Sequence, residues 1–150
     1  MTTTFSPMQM FHVPTDSASD FYKLGSKFLK AARIIFEKGN FPELDFPGYA
    51  LVGQAVELYL KAYLRTKGQS VDDLKSIGHN LKLAFETAEK HGLPQIFKIE
   101  ANERKALENL SLVYQSKDFH YKYQGSWELP FPSWAIDFAE RLSQKLSRLC

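Results

Sequence analysis

Residues Gly48–Gly68, GYALVGQAVELYLKAYLRTKG, decide the fold. They read as one helix of about five turns at ~3.6 residues per turn. Pro47 and Gly48 stand at its start, and Gly68 follows Arg65-Thr66-Lys67, cations that suit the negative end of a helix dipole. Gln54, Glu57, Lys61 and Arg65 fall on one narrow stripe, and nearly everything else is apolar or aromatic. A helix apolar on so many faces must be covered on several sides, so it is expected to be the central rod of a helical domain. Within it, Glu57 and Lys61 stand in a favourable i,i+4 order, and Glu57 is expected to be a paired surface residue.

Upstream, residues 1–15 mix Thr, Ser, Pro and scattered aromatics without periodicity. They are expected to form an N-terminal arm, loosely ordered or laid over the domain through Phe5 and Phe11. A single helical domain is then expected over residues 16–150. Asp16 or Ser17 caps a helix that runs to about Lys38, with Gly39-Asn40 as its stop. Phe21, Leu24, Phe28, Ala31, Ala32 and Ile35 share its inner side. Lys23, Lys27, Lys30 and, less closely, Arg33 line the other side. Such a row can meet phosphates, but the solvated side of an amphipathic helix looks the same, and that is the expectation for it. Phe41–Pro47, FPELDFP, is a proline-bounded loop.

Downstream, a short helical turn is expected at Val71–Ser76, and a third long helix opens at Gly78-His79-Asn80-Leu81. Its inner stripe is Leu81, Ala84, Phe85 and Ala88, and it ends at His91-Gly92, where a cation is favoured. His79 is expected to cap or pack the preceding turn, since no His, Cys or carboxylate stands nearby in sequence to assist it as a base. A fourth helix runs from about Asn102 to at least Tyr114, with Leu107, Leu110, Val113 and Tyr114 inside. Pro132-Ser133 starts the last, which carries Trp134, Phe138, Leu142, Leu146 and Leu149 on one stripe to the C-terminus. Five substantial helices with short loops and no strand pattern give an all-α, up-and-down helical bundle.

Composition narrows function only a little. Apolar content of 44% and charged content of 24% are ordinary for a folded protein. No apolar run approaches the ~20 residues of a membrane span. The lone Cys150 excludes an intramolecular disulfide and a cysteine-based zinc site, so a reducing cytoplasm is the expected location. A net charge of +2 does not by itself argue for nucleic acid. The chain has no Gly-rich phosphate loop, no H-E-x-x-H, no G-x-S-x-G and no metal-spaced cluster, so neither a metal nor a cofactor is expected.

Between Lys117 and Trp134 the composition changes sharply: KDFHYKYQGSWELPFPSW interleaves rings with Lys117, His120 and Lys122. Cations among aromatics suit phosphate contact and base stacking. The expected ligand-binding residues are Lys117, Tyr121, Lys122, Tyr123 and Trp127, with His120 the candidate catalytic residue. Loop packing and a dimer surface are the competing roles for the individual rings.

Two segments resemble the HEPN superfamily of small helical domains. One is ALVGQAVELYLKAYLRTKG followed by IGHNLKLAFETAEKHGL, an "ELxLKA" helix, a Gly, then a Gly-His-x-Leu helix entry. The other is the Tyr- and His-rich exit from the fourth helix, Tyr114–Tyr123. The resemblance implies a bundle that commonly pairs as a dimer. Many members are metal-independent RNases of defence and toxin–antitoxin systems; others are inactive and bind nucleotides, nucleic acids or partner proteins. Active members carry an Arg, four to six residues, then a His, often with a Tyr close behind. Histidine moves a proton near neutral pH, and arginine holds the phosphate.

His120 with Tyr121 or Tyr123 resembles the second half of that motif. The first half is missing: the eligible positions hold Val113, Tyr114 and Gln115. Lys117 is the nearest cation but stands only three residues before His120, and it lacks arginine's bidentate fork. The expectation is therefore a homodimeric module for nucleotide or RNA, in a defence or toxin–antitoxin setting, leaning away from an enzyme. The alternatives are a metal-independent RNase using His120 and a non-catalytic scaffold for a partner protein.

Overall fold

The computed structural model describes residues 6–11, 17–39, 45–116 and 128–150. Six α-helices occur in them: α1 Ala18–Lys38, α2 Asp45–Thr66, α3 Val71–Ile77, α4 Leu81–Lys90, α5 Ala101–Ser116 and α6 Pro132–Leu146. A 3-10 turn at Leu93–Gln95 joins α4 to α5, and no strand occurs among the described residues. The all-α bundle is as the apolar spacing predicts. Phe5, Asn40 and most of the Phe41–Pro47 loop lie outside the described residues.

Each boundary has a local cause. Ser17 caps α1, its hydroxyl accepting from Asp20 N at 3.0 Å while the Asp20 carboxylate accepts from Ser17 N at 3.3 Å. Ser70 and Asp73 repeat this capping box on α3. The sequence places the start of α2 at Gly48, but the helix begins three residues earlier, at Asp45. Pro47 falls in its first turn, where a missing N–H costs nothing because those donors have no intrahelical partner anyway. Two further expectations are corrected. Helix α6 ends at Leu146, leaving Leu149 46% exposed, and Phe11 is 78% exposed, so it does not lie over the bundle.

Helix α2 is the rod that the others cover: it packs against α1, α4, α5 and α6. Leu58, Tyr59 and Leu60 point in three directions about 100° apart around it, and all are buried. Each fully buried side chain of this size contributes about 1.5–3 kcal/mol. Helix α1 closes on α2 through two glycine notches. Gly25 faces the Tyr59 ring, and Gly48 lets the Phe36 ring lie so close that a Cβ there would stand 2.4 Å from it. Phe85, Phe97, Phe138 and Trp134 form a ring cluster joining α4, the 3-10 turn and α6.

Candidate functional site

The polar stripe of α2 is not at the surface. Glu57 is 3% exposed and Lys61 8%, which corrects the expectation of a paired surface carboxylate. The 3–4 spacing of Gln54, Glu57 and Lys61 puts all three on one face. That face is covered by the turn between α3 and α4 and by the far part of α5, as the partners of Glu57 record. Its carboxylate accepts from Lys61 Nζ at 3.1 Å, from His79 Nδ1 at 2.7 Å and from the Tyr114 hydroxyl at 3.1 Å. Lys61 also donates to the Gly78 carbonyl at 2.9 Å. A buried ion pair is tolerable only when its remaining donors and acceptors are satisfied in this way.

Tyr114 reaches the cluster because Gly53 has no side chain: a Cβ there would meet the ring at 2.7 Å. The hydroxyl also lies 2.5 Å from Gln54 Oε1, and with one proton and two acceptors it is shared between Gln54 and Glu57. Burial first, and then the Glu57 charge, push the Tyr114 phenol far above the ordinary tyrosine range, so it stays a donor.

His79 is the member that meets solvent, its side chain 64% exposed. Gly78 takes φ +63°, ψ −138°, which only glycine adopts without strain, and so aims His79 back at α2. Asn80 follows as the cap of α4, accepting from Leu83 N at 3.0 Å, and buried Ser111 of α5 accepts from Lys82 N at 3.0 Å. The His79 ring stands edge-on to Tyr114, centroids 6.2 Å apart. An ionised carboxylate can only accept, so Nδ1 carries the proton in the neutral ring and Nε2 keeps its lone pair. Among the described residues nothing is bonded to Nε2. The arrangement is an oriented imidazole with an open nitrogen, able to accept a hydrogen bond or move a proton.

Sequence reasoning missed this because the assisting carboxylate lies 22 residues from the histidine and arrives through the fold. One signal was present: a helix apolar on most faces must have its narrow polar stripe covered as well. His91, by contrast, is committed, with Nδ1 donating to the Thr87 carbonyl at 2.8 Å and Nε2 3.1 Å from the Gln69 amide.

The sequence-predicted site residues Lys117, His120, Tyr121, Lys122, Tyr123 and Trp127 lie outside the described residues. The end of that ring-rich stretch is described: Phe131 is 80% exposed, and Trp134 is half-buried. On α1, Lys23, Lys27 and Lys30 are exposed and have no ion pair among the described residues, whereas Arg33 leaves the row to bind Glu140. Among the described residues no group of three His, Cys, Asp or Glu is placed to hold a metal ion, and no helix is long and apolar enough to cross a membrane.

One protein-family model, described as the HEPN domain, matches residues 18–148. No curated protein and no solved structure matches the chain.

Proposed function

The chain belongs to the HEPN family, and from that premise we propose that it is a homodimeric domain that binds nucleotide or RNA. The observation that carries the reading is His79, an open imidazole seated on the buried Glu57 carboxylate beside Tyr114. Three residues beyond Tyr114 the sequence enters the Lys117–Trp127 stretch. In this reading Lys117 and Lys122 contact phosphate, and Tyr121, Tyr123 and Trp127 stack on bases. The exposed row of Lys23, Lys27 and Lys30 supplies a second run of cations. A defence or toxin–antitoxin setting in the cytoplasm, with a partner protein, is the biological context that goes with it.

The test is anisotropy of a labelled single-stranded RNA, and of labelled nucleotides, titrated with protein at two salt concentrations. Salt-dependent binding that weakens in Lys117→Ala/Lys122→Ala, with sedimentation at the mass of two chains, is the expected result. No binding at low salt would sink the proposal.

The His79–Glu57 geometry favours a second reading, metal-independent RNA cleavage, in which a ring nitrogen takes the proton of a ribose 2′-hydroxyl as its oxygen bonds to the adjacent phosphorus and the P–O5′ bond breaks, leaving a 2′,3′-cyclic phosphate and a 5′-hydroxyl protonated through solvent. His120 is the other candidate for that role. Cleavage of RNA in EDTA, lost in His79→Ala or in His120→Ala, would establish it and name the residue. An inert wild-type protein removes it.

A further inference from the structure

Between α5 and the entry to α6 lies a pocket of about 260 Å³. That is just under the ~300 Å³ at which sites for drug-sized ligands begin, so it suits one ring system with a substituent rather than a peptide or a helix. Lys105, Ala106 and Asn109 of α5 form one wall at helical spacing, and Glu128, Phe131 and Trp134 form the other.

The walls are fixed before any ligand arrives. Trp134 stacks on Phe138 with centroids 5.0 Å apart, and its indole N–H is held by the Glu103 carboxylate. The Pro130 carbonyl is anchored by the hydroxyl of buried Tyr49. Pro132 in the first turn of α6 sets the backbone just after Phe131. Phe131 nevertheless holds its ring in water, 80% exposed, at the edge of this pocket. Two aromatic side chains thus stand beside a gap the size of one heterocycle.

Two polar groups in the pocket are uncommitted. Among the described residues neither Lys105 nor the Asn109 side chain has a hydrogen-bond or ion-pair partner. A side-chain amide presents a donor and an acceptor together, the pattern that matches the edge of a base, and a carboxylate accepts from an exocyclic amino group. Lys105 offers a point charge for a phosphate.

We propose that this pocket is a stacking site for a single amino-bearing nucleobase, adenine, cytosine or guanine, supplied either by a free mononucleotide or by one unpaired base of an RNA. The proposal rests on the nucleotide- or RNA-binding reading above and adds to it the base class and the place. Uracil presents carbonyl oxygens where Glu128 requires a donor, and so is discriminated against.

The wild-type protein is titrated with AMP, UMP and a short single-stranded oligo(A), followed by quenching of its two tryptophans, Trp127 and Trp134. AMP is expected to quench, UMP to bind at least about fivefold more weakly, and Phe131→Ala and Asn109→Ala each to weaken AMP by about fivefold or more. Phe131 is exposed, so its alanine variant keeps the fold, which circular dichroism checks. Quenching by oligo(A) without AMP, with the same losses in the two variants, assigns the base to RNA. Binding that both variants leave unchanged overturns the pocket while the broader reading stands. No binding of any probe overturns both.

Discussion

Helix α2 admits an aromatic ring at two glycines, and the two contacts do opposite things. At Gly48 the Phe36 ring of α1 fills the notch and meets the edge of Tyr49, centroids 5.4 Å apart. That contact is apolar and serves packing alone. At Gly53 the Tyr114 ring of α5 lies against the backbone just as closely, but it delivers a hydroxyl to Gln54 and Glu57. The same backbone device yields core at one notch and a polar site at the other. What differs is the stripe beside it, and a buried stripe of Gln, Glu and Lys is retained only where every partner is met.

The sharpest way to break the comparison is Glu57→Ala. It leaves Lys61 buried without its counter-charge and removes the shared acceptor of His79 and Tyr114. A loss of about 3–5 kcal/mol in chemical denaturation is expected. A loss under 1 kcal/mol would mean that the cluster is not held together by its carboxylate. Next comes Gly48→Ala, which drives a Cβ to 2.4 Å from the Phe36 ring. Overpacking costs about 1–3 kcal/mol, offset in part by the 0.5–1 kcal/mol or so that alanine gains over glycine in a helix. Stability is expected to fall by about 1–2 kcal/mol while RNA or nucleotide affinity stays unchanged in the folded protein.

Gly53→Ala should reverse that balance. Tyr114 is half-buried and can swing toward solvent more easily than a ring wedged between two helices, so the stability loss is expected to be about 1 kcal/mol or less. Ligand affinity should fall severalfold, because the hydroxyl leaves Gln54 and Glu57. Equal functional effects of Gly48→Ala and Gly53→Ala would show that the notches are not specialised.

Much of this was legible in the residues, and the failures have physical causes. Apolar spacing and the Ser17 cap are local signals, so the helices follow from them. The early start of α2 was hidden because Pro47 reads as a boundary, yet a first turn tolerates it. Glu57–Lys61 looks the same in sequence whether water or protein covers it, since i,i+4 order says nothing of depth. His79 seemed unassisted because its carboxylate stands 22 residues back, and only the packing of the α3–α4 turn on α2 unites them. The ring-rich stretch announced itself by composition, but composition cannot say which rings pack and which stay open, as half-buried Trp134 and exposed Phe131 show.

The smallest effect separates two well-bonded carboxylates of the bundle. Glu103 shares with Glu57 a set of donors, but it sits between α5 and α6 with its side chain 13% exposed. Burial works to raise its pKa, and the Arg141 hydrogen bond, the Glu100 backbone N–H, the Arg141 charge and the Trp134 indole outweigh it, so the carboxyl is held below the ordinary range. A group whose folded pKa lies below its unfolded value, ~4.3 for glutamate, stabilises the fold above that value. Its contribution is lost as pH falls through the lower, folded pKa. Glu103→Gln should therefore flatten the acid limb of a stability–pH curve below about pH 4.3 and leave its shape near neutrality unchanged. If the limb keeps its slope, the arginine is held by Asp137 alone, and Glu103 contributes hydrogen bonds to Trp134 without being linked to protons.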